Sequence, residues 1–254
     1  MTGIGDLVLL TAAGTLAGVV GTAGGITSLI SYPALLAAGL PALPANVANI
    51  IAVVACWPGA ALASRPELAG QRVRLCRWIP VAALGGAAGS LLLLSTPPGV
   101  FAHVVPILVA VGSLALLAQP RIAARLDRRG PLSGARGVIL PLGLTAMSLY
   151  NGYFGAGAGV MILALLLISA EPNLPTANAL KNMLIGAGAL TSAAIFATAG
   201  TVDWPAVVPI GAGMFVGSVI GPRITRRLPA GLLRWLVALI GIVLAVQLWI
   251  DPNG

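Results

Sequence analysis

The residues of this 254-residue chain that could do chemistry are few, and they gather in two stretches. Lys181 is the only lysine, with Asn178 three positions before it and Asn182 one position after. The spacing of the two asparagines places their amides on nearly one face of a helix. Lys181 lies several residues inside an apolar run, where a charge costs about 2.5 to 3.5 kcal/mol even on the lenient insertion scale. No acidic residue stands within an apolar run to offset that cost, so its partner is an anionic ligand, backbone carbonyls or cavity water. The competing reading is a lysine that snorkels to an interface about a turn away. Asn46 and Asn49 occupy the matching helix of the first half without a lysine. They serve either a site or the simple tying of helices.

Two glycine-rich breaks accompany these helices: Gly21-Thr22-Ala23-Gly24-Gly25 and Asn151-Gly152-Tyr153-Phe154-Gly155-Ala156-Gly157-Ala158-Gly159. A broken helix inside a membrane exposes backbone NH and carbonyl groups that lipid cannot satisfy, so it survives only where protein or a wet cavity covers it. The half-helix after each break aims its positive end and free NH groups at the gap, which suits an anion. The candidate substrate-binding residues are therefore Lys181, Asn178, Asn182, Asn46 and Asn49, with Gly21, Thr22, Gly24 and Gly25 at the first break and Asn151, Tyr153, Gly155 and Gly157 at the second. Thr27, Ser28 and Tyr150 are further hydroxyl donors beside the breaks. His103, the sole histidine, is a weak candidate for proton coupling because imidazole titrates near neutral pH. By contrast, Gly14/Gly18, Gly85/Gly89 and Gly213/Gly217/Gly221 have the spacing of close helix packing.

The elements that position these residues are apolar helices. The composition is 58% apolar and only 8% charged, against roughly 25% charged in a soluble domain. Ten apolar pieces follow one another: Leu7–Val20, Ile26–Ala38, Ala45–Ala63, Trp78–Ser95, Val100–Gln119, Gly137–Tyr150, Val160–Ala170, Thr176–Thr198, Pro205–Gly221 and Leu232–Ile250. Six read as full spans, and four read as half-helices in two pairs, each pair interrupted by a break. The fold class is thus an all-α polytopic membrane protein built from two homologous repeats, each a half-helix pair plus three transmembrane helices. The N-terminal repeat covers 1–119, a basic cytoplasmic linker 120–136 and the C-terminal repeat 137–254.

Charge bears on topology. The formal charge is +8, and the arginines cluster at Arg65 to Arg77, Arg121 to Arg136 and Arg223 to Arg234. If each half-helix pair is a re-entrant hairpin, the repeats are inverted and all three clusters fall on the cytoplasmic side, as the positive-inside rule prefers. Eight parallel crossings would place the last cluster opposite. The inverted repeat is the favoured arrangement. Clusters beside spans are topology signals with some capacity for anionic lipid, so nucleic acid is not an expected partner. Trp57, Trp78, Trp204, Trp235 and Trp249 read mostly as an interfacial belt. The first six residues lack Lys and Arg, so the first apolar stretch reads as mature protein rather than a secretory signal.

Enzyme chemistry finds no purchase. Gly3-Ile4-Gly5-Asp6 matches a GxGD pattern in form, but no second aspartate lies inside a span to complete a dyad. One histidine and six acids assemble neither a metallopeptidase motif nor an intramembrane Ser-His-acid set. Cys56 and Cys76 show no metal-ligand spacing. Without a nucleotide motif the chain is not itself an ATP-driven pump, and neither cofactor nor metal is expected.

Over essentially its whole length the chain resembles the TauE/SafE family of sulfite exporter-like permeases. The resemblance is carried by the first break with Tyr32-Pro33-Ala34-Leu35-Leu36 and Gly39-Leu40-Pro41, by Glu67-Leu68-Ala69-Gly70-Gln71-Arg72, by Tyr153-Phe154-Gly155-Ala156-Gly157, by Ala177-Asn178-Ala179-Leu180-Lys181-Asn182 and by Val202-Asp203-Trp204-Pro205. It implies export of small sulfur-containing anions, without ATP hydrolysis, from a bacterial cytoplasmic membrane. The expected partners are a small anion and the bilayer, with association between copies left open. A non-transporting scaffold or lipid-binding component and an anion channel are the alternatives. One departure stands at the first break, where the family commonly carries a denser glycine run than Gly-Thr-Ala-Gly-Gly.

Overall fold

The computed structural model describes residues 3–129, 136–199 and 202–225, together with 239, 242–243 and 245–250. Among these residues every regular element is helical. The helices are α1 (Ile4–Gly24), α2 (Ser28–Ala37), α3 (Ala42–Val53), α4 (Cys56–Ala63), α5 (Arg65–Leu68), α6 (Arg72–Ser95), α7 (Pro98–Arg129), α8 (Arg136–Tyr153), α9 (Ala158–Ser169), α10 (Leu174–Ala199) and α11 (Trp204–Thr225). Four segments are long and apolar enough to cross a membrane: Ile4–Gly24, Ala42–Ala63, Arg72–Ser95 and Leu174–Ala199. Shorter apolar helices lie between them and after the last. Large apolar side chains such as Leu84, Leu142 and Val208 cover the outside, as a lipid-facing surface requires.

The element order follows the apolar pattern, with four differences. α1 is not a half-helix, because 21 residues of helix span about 31 Å. Glycine tolerates a helix interior when tertiary packing supports it, and the chain stays helical through Gly21 and Gly24. The turn comes only at Gly25, whose φ of 77° is the left-handed conformation that favours glycine, and its NH bonds the Gly21 carbonyl at 2.7 Å. Likewise α8 runs on through Asn151 and Tyr153, so the second break narrows to 154–157, with Gly155 and Gly157 both at positive φ.

The third difference lies in the span Ala42–Ala63, which divides into α3 and α4. Pro58 has no NH to give the Val54 carbonyl, and its ring crowds that carbonyl. The backbone responds with tighter bonds from Val54, Ala55 and Trp57 to the residues three before each of them. Lastly, the first ten linker residues continue α7 as helix to Arg129. Residues 130–135 lie outside the described residues, as does most of the last arginine cluster and of the final apolar piece.

Two seams dominate the packing. α1 lies along α11, and α6 lies along α8. In the first seam a methyl on Gly14 or Gly18 would strike the backbone of Ile210 or Met214, and one on Gly213 or Gly217 would strike that of Thr11 and Thr15. In the second, Gly85 and Gly89 abut Ser148 and Leu149, while Gly152 abuts Gly86. Each seam therefore joins a helix of one half to a helix of the other. α10 packs across α6 and also against α3, α4 and α9, so it sits at the centre. Arg74 pairs with Glu171, fastening the start of α6 to the turn before α10. Gly18→Ala should cost about 1 to 3 kcal/mol by overpacking, whereas Gly5→Ala, with nothing within 4 Å of the new methyl, should cost nothing. Thermal unfolding in detergent measures both.

Candidate functional site

The two turns meet. A methyl on Gly25 would lie 2.8 Å from the Gly159 Cα, and one on Gly159 would lie 2.6 Å from the Gly25 Cα. Only glycine allows backbones to approach so closely. Phe154 of the second turn packs edge-on against Tyr32 of α2, with ring centroids 5.3 Å apart. The starts of α2 and α9 carry no side-chain cap, and backbone carbonyls of the turns take the NH groups of Ile30, Ala158 and Val160, so among the described residues those of Ser28, Leu29 and Gly159 are left without a partner.

Where α1 and α8 end, the Thr22 and Tyr153 carbonyls have no backbone partner, and the Gly21 carbonyl has only the Gly25 NH. Side chains from α10 and α3 supply partners. Asn178 and Asn182 both donate through Nδ2 to the Thr22 carbonyl, at 2.9 and 3.0 Å. Lys181 donates through Nζ to the Gly21 carbonyl at 3.3 Å. In the other half Asn46 Nδ2 donates to the Tyr153 carbonyl at 2.8 Å. Asn49 accepts from the Ser31 hydroxyl of α2. α10 starts in register because Asn173 Oδ1 accepts the Thr176 NH at 3.1 Å, a cap not recognised from the sequence.

Lys181 has none of its side chain exposed, so it does not snorkel. Of the partners open to it, it takes backbone carbonyl, at the negative end of α1 where a cation is favoured. An ammonium has three donors. Among the described residues the Gly21 carbonyl is its one hydrogen-bond partner, and no carboxylate is paired with it.

Two adjoining hollows open beside these groups. Counting their open mouths, they hold about 360 and 320 Å³ of empty space. The first runs between the turns and is lined by Gly25, Thr27, Ser28, Asn151, Gly155 and Gly159, with apolar walls from α3 and α10. The second is lined by Gly21, Thr22, Thr27, Cys56, Trp57 and Asn182, among others. Thr27, Val53 and Ile185 border both.

The structure thus brings Gly21, Thr22, Gly25, Asn151, Gly155 and Asn182 to the hollows. Lys181, Asn178, Asn46 and Asn49 stand behind them and hold the helix ends. Four candidates lie elsewhere. Gly24 lines neither hollow, and Gly157 packs on Gly112 of α7. The Tyr153 hydroxyl turns to Thr96, and His103 is exposed on α7 with Nδ1 on the Gly99 carbonyl at 2.7 Å. Tyr150 also turns away, its hydroxyl donating to the Ala156 carbonyl at 2.7 Å. Trp57 is the residue that sequence reading missed, since it lines the second hollow rather than an interfacial belt. Pro58, directly after it, was the available signal.

A helical membrane protein with half-length helices meeting end-on at glycine turns, and a buried cation beside them, has the build of a transporter. The family model for sulfite exporter TauE/SafE matches residues 7–248, and the chain belongs to that family. It is a membrane transporter of the TauE/SafE type. Curated relatives agree. The probable membrane transporter protein YfcA of Escherichia coli K12 is 26% identical over 250 residues, covering 94% of this chain and 88% of the relative. A probable membrane transporter protein of Haemophilus influenzae is 28% identical over 261 residues, covering 99% and 97%. The probable membrane transporter protein ORF9 of a Sinorhizobium species is 26% identical, covering 97% and 94%. No solved structure matches the chain.

The helix-end contacts predict unequal costs. Asn46→Ala should leave the Tyr153 carbonyl unpaired and cost about 1 to 3 kcal/mol. Asn178→Ala should cost distinctly less, because Asn182 still serves the Thr22 carbonyl. Unfolding midpoints of the two variants in one detergent provide the comparison.

Proposed function

We propose that the protein is a secondary transporter that exports small sulfur-containing anions, sulfite or a small sulfonate, across the bacterial cytoplasmic membrane by alternating access. The observation that carries this reading is the buried ammonium of Lys181, which has donors to spare beside two hollows. A cation so placed draws an anion, and the NH groups of Ser28 and Leu29 in α2 and of Gly159 in α9, which have no partner among the described residues, share that preference. Asn182 and Thr22 border the route, while Asn46, Asn49 and Asn178 keep the helix ends in place.

Two inverted repeats would supply the motion. A constant shift along the sequence relates Gly25 to Gly157, Asn46 to Asn178, Asn49 to Lys181 and Val53 to Ile185. The two glycine seams are related in the same way, α1 with α11 and α8 with α6. Rocking of one repeat against the other would open the hollows to each side in turn.

The test is counterflow of radiolabelled sulfite, with methanesulfonate in parallel, into proteoliposomes containing wild type or Lys181→Gln. Saturable exchange by wild type and its loss in a folded Lys181→Gln protein are expected. Wild type that moves neither anion overturns the substrate class. A variant that exchanges like wild type removes Lys181 from the site, and flux without counterflow makes the protein a channel.

A further inference from the structure

The wall of the second hollow includes a residue whose donor nothing among the described residues uses. Trp57 lines it, and the indole Nε1 is buried with no hydrogen-bond partner among the described residues. Indole nitrogen donates and does not accept. A buried donor left unpaired is costly enough that native structures rarely keep one without reason.

The placement of this ring is built into the chain. Pro58 breaks the span between α3 and α4, and the break carries Trp57 inward against α10. There the ring lies on Gly186, where any β-carbon would collide with it. The position that corresponds to Trp57 in the second half is Ala189, which lines the first hollow, and α10 runs through it without a break. So the two halves share a backbone plan but differ at this point, and only the first half offers an indole NH.

Around Trp57 the same hollow presents Thr22, Thr27 and Asn182, with Lys181 behind the Gly21 carbonyl. Carboxylates are missing from this lining. A neutral NH donor in such company fits an oxyanion better than a cation, and a flat ring beside it excludes bulky groups.

We propose that Trp57 is a substrate-contact residue, its Nε1 donating to an oxygen of the transported anion in the second hollow. This rests on the reading of the protein as a carrier of small sulfur oxyanions, and it adds a second station beyond the glycine turns, past the Val53 and Ile185 border.

Trp57→Phe keeps a ring over Gly186 and removes only the NH. Expected is a rise of about tenfold in KM for sulfite and methanesulfonate in counterflow, with maximal exchange retained, the loss typical of a hydrogen bond to a charged group. In detergent, methanesulfonate should change the tryptophan emission of wild type, and the change should vanish in Trp57→Phe. Gel filtration of the two proteins establishes that the variant is folded. Wild-type exchange with an unaltered KM and an unaltered emission response in Trp57→Phe overturns the contact while leaving the carrier reading intact. Wild type with neither exchange nor an emission response overturns both. An emission response that depends on Trp57, in a protein that exchanges nothing, supports the contact and overturns the carrier.

Discussion

Everything at the centre of this protein depends on how helix-end carbonyls are satisfied where lipid offers no hydrogen bonds. α1 and α8 stop beside the core, and each leaves backbone oxygens that water would otherwise take. The side chains that take them come from α10 and α3, the two helices that begin after a proline turn and carry paired asparagines. Thr22 receives two amides and Gly21 an ammonium, while Tyr153 receives one amide. With those oxygens held, α2 and α9 can start beside the ends of α1 and α8, and the two glycine turns can touch. The same contacts order the charges. Lys181 sits at the negative end of α1, and α2 and α9 bring their positive ends to the same region.

Close approach is the second requirement, and it is met by removing side chains rather than adding them. Along α1 and α11, and again along α6 and α8, glycine lets backbone lie on backbone. In a bilayer, where apolar surface gains little by leaving lipid, such contact and the dispersion it brings hold helices together. Since each seam crosses from one half to the other, the halves are joined along their outer helices, with α3 and α10 between them.

Much of this was legible in the sequence. The first nine apolar pieces map onto the helices in order, because the length of an apolar run and the positions of Gly and Pro are local properties. The polar candidates were legible because Asn and Lys are expensive in an apolar run and must have a purpose there. Less legible were the helix limits at Gly21 to Gly24, since packing against α10 and α11 overrides glycine's poor propensity. Tyr150, Tyr153 and His103 stand apart from the hollows for reasons equally remote in sequence: the two hydroxyls turn to Ala156 and Thr96, and the imidazole lies on the Gly99 carbonyl. Trp57 was placed with the belt because its distance from the span end ignored the bend at Pro58.

The most direct test of the central claim is to locate the anion. Selenite replaces sulfite with an anomalous scatterer of nearly the same shape, and diffraction from lipid-grown crystals at the selenium edge would show where it sits. The account predicts a selenium peak in the second hollow, bordered by Thr22, Thr27, Trp57 and Asn182, with Lys181 still turned to the end of α1. A peak only at the arginine-rich surface, or Lys181 swung away from the Gly21 carbonyl with the hollows empty, would contradict it.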